Sequence, residues 1–468
     1  MFDHFRQSYL PRPMVQLFCS SVVLFANPGL YGSITGLGAG GGKPTSAEVG
    51  SITNCALYGV YTVVSLMVGP VINLLGPKWA AALGSVTYPL YAAGLWIYSD
   101  TDNTVPPIFF GALCGVGAGI LWPTASYMCY AYSTESEKAL FFSIQWTMVA
   151  VGSSIGAFIA FGYNFHETEA TGTPVAVYII FIVIMLLGTL FSFFTTLRPD
   201  EVRRKDGRAI ALFEPTSFKQ EVAGLMEMYK NWKVMTIFPI AMGAEITLSL
   251  CSSLSSHWYN LRTRCLVSVV FWLIQIPSTF ALKWILARPV RRRTQAMYGI
   301  AFLFIVTSCA WIAEFLFLTR KNVLREQTPP AIDWSSPASD VAPHFLAYGI
   351  FFGIIYANWQ GLGQWLVATM SNDPQVVARY SGVFKAGCSA GMCISFGVDG
   401  AGVAYLTEAI WECILEYIGL ALMVLIALVA VTDTNYFQEK NELQQHVTEV
   451  NLEAASADDR KLAEEVSK

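Results

Sequence analysis

A chain of 468 residues would ordinarily divide into about three soluble domains, but 54% of its residues are hydrophobic and only 13% are charged, too few to face water on that scale. The net charge of −4 carries no field toward nucleic acid, and no cluster of basic and aromatic residues resembles a nucleic-acid surface. Apolar runs of roughly 20 residues, the length a helix needs to cross hydrocarbon, predict an all-α, polytopic integral membrane protein with the lipid bilayer as its first partner.

Arg6, Arg12 and two prolines precede the first apolar run, which is too long for a cleaved signal peptide and lacks a cleavage motif, so it is expected to remain as a span. About twelve spans are predicted, near residues 14–36, 51–75, 79–98, 107–131, 139–161, 174–196, 235–256, 265–287, 296–318, 345–370, 381–398 and 403–431. The longest polar break, 197–234, divides them into an N-terminal six-helix half (1–196) and a C-terminal one (235–431). Within this linker Phe218, Val222, Leu225, Met226 and Tyr229 share one helical stripe, which predicts an amphipathic helix on the inner leaflet. The tail, 432–468, is rich in Glu and Asp with weak apolar periodicity and is expected to be disordered.

Lys and Arg crowd one side of this plan, notably Arg198 to Arg208, Lys219 to Lys233, Lys283 to Arg293, Arg379 and Lys385. The other side has Lys43, Arg262, Arg264, Arg320, Lys321 and Arg325. Positive loops resist translocation, so both termini are expected in the cytoplasm, and the parity of the bias supports an even number of spans. Nothing at Val466 to Lys468 reads as a retention signal, which leaves plasma membrane and endomembranes both open.

The ten cysteines fall in or beside apolar runs without paired spacing and read as small buried hydrophobes. The five histidines are isolated, so neither a metal site nor a cofactor is implied.

Along the spans, polar residues carry the functional candidates. Asn27 with Pro28 and Gly29 interrupts the first span, either lining a substrate cavity or forming a packing kink. Asn54 and Tyr58 share a face of the second span and can complete such a cavity. Gly111, Gly115 and Gly119 form a smooth ridge on the fourth span, suited to close helix packing. Gln145 and Trp146 in the fifth, and Trp359, Gln360 and Gln364 in the tenth, are costly against lipid and should face the interior, as solute contacts or as glue between helices.

Glu245 in the seventh span costs about 2.5–3.5 kcal/mol at mid-membrane unless neutralised or paired, which makes it a proton-coupling candidate. Glu314 in the ninth reads the same way, or as an interfacial salt bridge to Arg320 or Lys321. Glu408, Glu412 and Glu416 form one row on the twelfth span. Ionised together they repel, and proton uptake relieves that repulsion. The length of that span makes Glu408 interfacial and Glu416 the deep member. Arg262 and Arg264 stand where positive charge is scarce, as headgroup anchors, gate contacts or captors of an anion. Lys385, near the inner end of the eleventh span, reads as snorkelling.

Several blocks resemble the Unc ninety-three family of the major facilitator superfamily, especially its fungal members. They are Pro28-Gly-Leu-Tyr-Gly-Ser-Ile-Thr-Gly-Leu-Gly38 with its following glycines, Gly119-Ile-Leu-Trp122, Asn260-Leu-Arg-Thr-Arg264, Tyr356 to Trp365, and Ala378-Arg-Tyr-Ser-Gly382 leading to Lys385. Gly69, Asn73 and Gly76-Pro77-Lys78 are similar to the facilitator signature loop, with Asn in place of its Asp and Pro in place of its Arg, a departure that weakens the charge latch expected there. Lys283 likewise stands where related proteins often carry an acid.

The resemblance implies the major facilitator fold and movement of a small solute, uniport or ion-coupled, protons included, by rocking of two halves about a midplane site. Animal relatives are associated instead with regulating ion channels or escorting receptors. Two functions are therefore carried forward: a secondary transporter, and a non-transporting regulator or trafficking partner of another membrane protein. No enzymatic activity is expected.

Overall fold

The computed structural model of the chain describes residues 9–36, 46–166, 175–198, 201–203 and 217–435. The glycines after Gly36, most of the linker before Ser217 and nearly all of the acidic tail lie outside the described residues. Those described are almost entirely helical, and ten helices among them are long and apolar enough to cross a bilayer. The two further crossings of the twelve-span bundle are the ones apolar length detects least. The seventh span is broken into Trp232–Met235, Ile237–Met242 and Leu248–Trp258, and the eleventh, Pro374–Gly400, is rich in Gly, Ser and Cys.

Breaks in the backbone set where spans begin and bend. The first span runs Pro13–Leu24, a π-helical turn Phe25–Gly29 around Pro28, then Leu30–Gly36. Proline supplies no N–H and its ring crowds the preceding turn, which widens the helix locally. The second span, Ser46–Leu66, continues through a bend at Met67 as far as Gly76. There φ is +76° and ψ 161°, a conformation glycine adopts without strain, and the chain reverses into the third span, which ends at Thr101. The fourth to sixth spans are Val105–Ala131, Lys138–Tyr163 and Val175–Thr195.

In the second half follow Leu261–Leu286, Arg292–Lys321, a tenth span built from Ala338–His344, a π-helical stretch Phe345–Phe352 and Gly353–Ala368, then the eleventh span and Tyr405–Val429. The predicted spans thus recur. The seventh is interrupted rather than continuous, and several begin earlier than predicted, the second at Ser46, the tenth at Ala338 and the eleventh at Pro374.

The glycine ridge of the fourth span lies directly on the second. A Cβ added at Gly115 would stand 2.3 Å from the Leu57 carbonyl oxygen, so only glycine permits this approach. The halves meet along two helix pairs, the second with the eleventh span and the fifth with the eighth. Large apolar side chains such as Phe194, Val105 and Ile305 face outward, as a lipid-facing surface requires.

The linker helix, Phe218–Lys230, starts with a capping box in which Ser217 and Gln220 answer each other's backbone N–H groups. It is seated against the second span on one side and the eleventh on the other. Glu221, fully buried, accepts from Asn73 Nδ2 at 2.9 Å and from Arg379 Nη2 at 2.8 Å, while Tyr229 donates to the Leu66 carbonyl. Asn73 and Arg379 thus share one carboxylate, which comes from the linker helix.

Candidate functional site

Between the halves lies a cavity whose walls come from both. The first half contributes Pro28, Tyr31, Tyr58, Tyr61, Tyr88, Trp122 and Trp146; the second contributes Glu245, Phe271, Trp272, Tyr348, Tyr356 and Phe396, with Ser252 and Ser268. Aromatic rings dominate the wall, and Glu245 is its charged member. Tyr58 lies parallel to Phe396 across the halves, with ring centroids 5.9 Å apart, and Tyr356 stands within 6 Å of Trp146, Phe271 and Trp272.

The break in the seventh span places the carboxylate. Between Met242 and Leu248 the helix gives way to turns, which turns Glu245 toward the cavity and frees the Ile240 carbonyl from its helical partner. Trp359 Nε1 donates to that carbonyl at 2.8 Å, and its ring covers Gly243, where an added Cβ would lie 2.7 Å away. Irregular backbone at membrane depth persists only where such partners satisfy it.

Glu245 heads a buried polar relay. Gln360 Nε2 donates to Glu245 Oε1, and Gln360 Oε1 accepts from Lys385 Nζ at 2.6 Å and from Gln364 Nε2 at 3.3 Å. Lys385 is 1% exposed, and its ammonium lies 4.4 Å from the ring centroid of Trp122. The snorkelling expected of Lys385 is thereby corrected: amide and indole partners on the tenth and fourth spans satisfy it in the interior. Sequence neighbours could not disclose partners 25 and more residues away.

The other candidates separate into groups. Tyr31 and Tyr58 line the cavity, and the Tyr31 hydroxyl donates to Asn54 Oδ1 at 3.2 Å, which places Asn54 just behind the wall. Trp146 lines it too and donates to Gln275 Oε1 at 2.9 Å. Gln145 points away, to the Ala125 carbonyl, and Asn27 folds back on the Val23 carbonyl of its own helix, so Pro28 represents that kink in the wall.

The remaining carboxylates lie inside the C-terminal half. Glu314 is held by His344, whose Nδ1 is 3.0 Å from both carboxylate oxygens, while Lys321 pairs with Asp340. An interfacial bridge from Glu314 to Arg320 or Lys321 is thus absent among the described residues; the glutamate faces inward, onto the tenth span. Glu408, Glu412 and Glu416 are all fully buried. Glu408 shares Arg325 with Asp399, Glu412 accepts from Ser395 Oγ at 2.7 Å, and Glu416 accepts from Trp311 Nε1 at 2.7 Å. Glu408 stands in the first turn of its helix, where a loop arginine covers it.

Arg262 is bonded twice to Asp333, at 2.6 and 2.7 Å, and stacks on Trp334. Its hydrogen bonds with Arg262 hold the Asp333 carboxyl well below the usual carboxylate range. Arg264 keeps a buried Nε without a partner among the described residues. Of the cysteines, Cys309 is exposed rather than buried, on the lipid-facing side of the ninth span.

The sequence matches the model of the Major Facilitator Superfamily over residues 14–396. The chain belongs to that superfamily. An uncharacterized membrane protein of Schizosaccharomyces pombe is 38% identical over 84% of this chain and 80% of its own length. UNC93-like protein 1 of Arabidopsis thaliana is 28% identical over 92% and 91%. Among solved structures, the facilitator FucP in its outward conformation shares the fold at TM-score 0.56 and 15% identity, over 89% of this chain and 98% of that one. The proton:xylose symporter XylE does so at 0.58 and 9%, over 90% and 95%. As a facilitator, the chain carries its cavity where the two halves of this fold meet.

Proposed function

We propose that this protein is a secondary active transporter that moves a small solute through the central cavity by alternating access, coupled to protons through Glu245, with both termini in the cytoplasm. The observation that carries the reading is a carboxylate set on a broken span and lining a cavity shared by both halves. A buried acid is expensive in a membrane, and a cavity that both halves build is what rocking would expose first to one side and then to the other. Tyr31, Tyr58, Trp146 and Glu245 contact the solute in this reading. Gln360 and Gln364 set the carboxylate, with Asn54 and Trp359 behind them.

Glu416 and Glu314 supply a second set of proton acceptors inside the C-terminal half. The names of two structural neighbours, a fucose:proton symporter and a proton:xylose symporter, are compatible with proton coupling in this fold and say nothing of the solute here. The test is solute uptake and proton flux with purified protein in liposomes under an imposed pH gradient. Saturable, solute-dependent flux is expected in wild type, with loss of at least tenfold in Glu245→Gln. If folded protein moves nothing from a broad solute panel above empty liposomes, the role is that of a membrane-protein regulator or trafficking partner.

A further inference from the structure

The chemistry of the cavity wall goes further and names a class of solute; this step rests on the transport reading. Three observations converge. The wall is built from aromatic faces, which carry negative potential at their centres. Its charged member is the Glu245 carboxylate, 9% exposed, with Gln360 holding one oxygen. The protein's own buried cation, Lys385, is placed against this same wall, 4.4 Å from the Trp122 centroid and 5.8 Å from that of Trp146.

A cation in the cavity gains from the ring faces and from the carboxylate at once, in a site that excludes most water. A neutral molecule of equal shape gains only the apolar contact, and an anion is opposed by both features. Lys385 does not line the cavity; Gln360 and Trp122 hold it behind the wall, where it serves as the standing counter-ion of Glu245 and tempers the attraction for any other cation. We infer that the aromatic cavity around Glu245 binds a monovalent organic cation with a flat apolar body. Solute cation and proton then share one carboxylate, so that occupancy by one excludes the other and transport is an exchange of cation for proton.

The experiment measures equilibrium binding of three biaryl probes of matched shape to the full chain in lipid nanodiscs: N-methyl-4-phenylpyridinium, 4-phenylpyridine at a pH where it is uncharged, and 4-phenylbenzoate. The cation is expected to bind about tenfold or more tightly than the neutral probe, and the anion least. Glu245→Gln, which keeps an oxygen for Gln360, should erase the difference between cation and neutral probe. Glu245→Asp should retain it, and Lys385→Met should tighten the cation severalfold while leaving the neutral probe unchanged. Thermal melting of each variant checks that it is folded.

Equal affinity for cation and neutral probe in wild type, preference for the anion, or discrimination that survives Glu245→Gln would each overturn the inference. If the neutral or anionic probe binds saturably and the cation does not, the class is wrong and the transport reading stands. If no probe binds and no solute is moved in liposomes, both fall together.

Discussion

Trp311 donates its indole N–H to Glu416 over 2.7 Å, between two side chains that are almost wholly buried. The interaction shows how a membrane interior tolerates an acid: a donor on a neighbouring span stands in for the water it has lost. Trp311→Phe removes the donor and keeps most of the ring, and should cost about 1–3 kcal/mol, the range for leaving a buried hydrogen-bonding group without its partner. A fall of several degrees in the melting temperature of the detergent-solubilised protein would register it, whereas Glu416→Gln, which still offers an acceptor, should lower it by less.

Glu245, Glu416 and the amides of the tenth span are legible in the sequence because polar residues in apolar runs stand out. Their partners are not legible. Gln360 lies 115 residues from Glu245 and Trp311 105 residues from Glu416, and no local pattern links them. For the same reason Glu314 reads as a partner of nearby Lys321 although His344 holds it.

The linker helix is the element whose role changes most on passing from sequence to structure. Its apolar stripe predicts a helix lying on the leaflet, and the stripe does form one face. What joins the helix to the bundle is part of that stripe, Leu225 and Tyr229, together with Glu221 beside it, which is shared by Asn73 of the first half and Arg379 of the second. One carboxylate thus ties three elements together on the linker side of the molecule. Glu221→Ala leaves a partly buried guanidinium without its anion, at a cost of about 3 kcal/mol. It should also speed amide hydrogen exchange in the linker helix, which the carboxylate ties to both halves. Unchanged exchange would show that the tie does not restrain this element.

A second tie on the same side centres on Glu135, which pairs with Arg292 and accepts from Asn372 Nδ2 at 2.7 Å. Burial alone would raise the pKa of this loop glutamate, but Arg292, with Lys138, outweighs it and holds the value below the ordinary 4.5. A carboxylate depressed on folding contributes stability that is complete above its ordinary pKa and is lost as pH falls through the lowered value. The melting temperature should therefore hold steady from neutral pH down to about 5 as far as this group is concerned, then drop below the ordinary glutamate range. Glu135→Gln should flatten that acid limb.

At the scale of the molecule, span number and two-half organisation are the most legible features, because hydrocarbon thickness fixes the length of apolar runs and loop charge fixes their parity. The breaks are less so. Pro28 announces the kink in the first span, but the turns around Glu245 carry no proline, and the broken seventh span reads as continuous in the sequence. The cavity itself is a property of the assembled halves, since Tyr58 and Phe396 stack across 338 residues of chain.

The central claim is that the halves must part for solute to pass, and two native thiols test it directly. Cys55 of the second span and Cys393 of the eleventh face each other across the interface with sulfurs 3.8 Å apart, both only partly buried. Oxidation to a disulfide would bolt the halves together there. In proteoliposomes, catalysed oxidation should reduce solute flux at least tenfold, a reductant should restore it, and Cys55→Ser should be immune. Full cross-linking with undiminished flux would contradict the account, because solute would then be passing between halves that cannot separate.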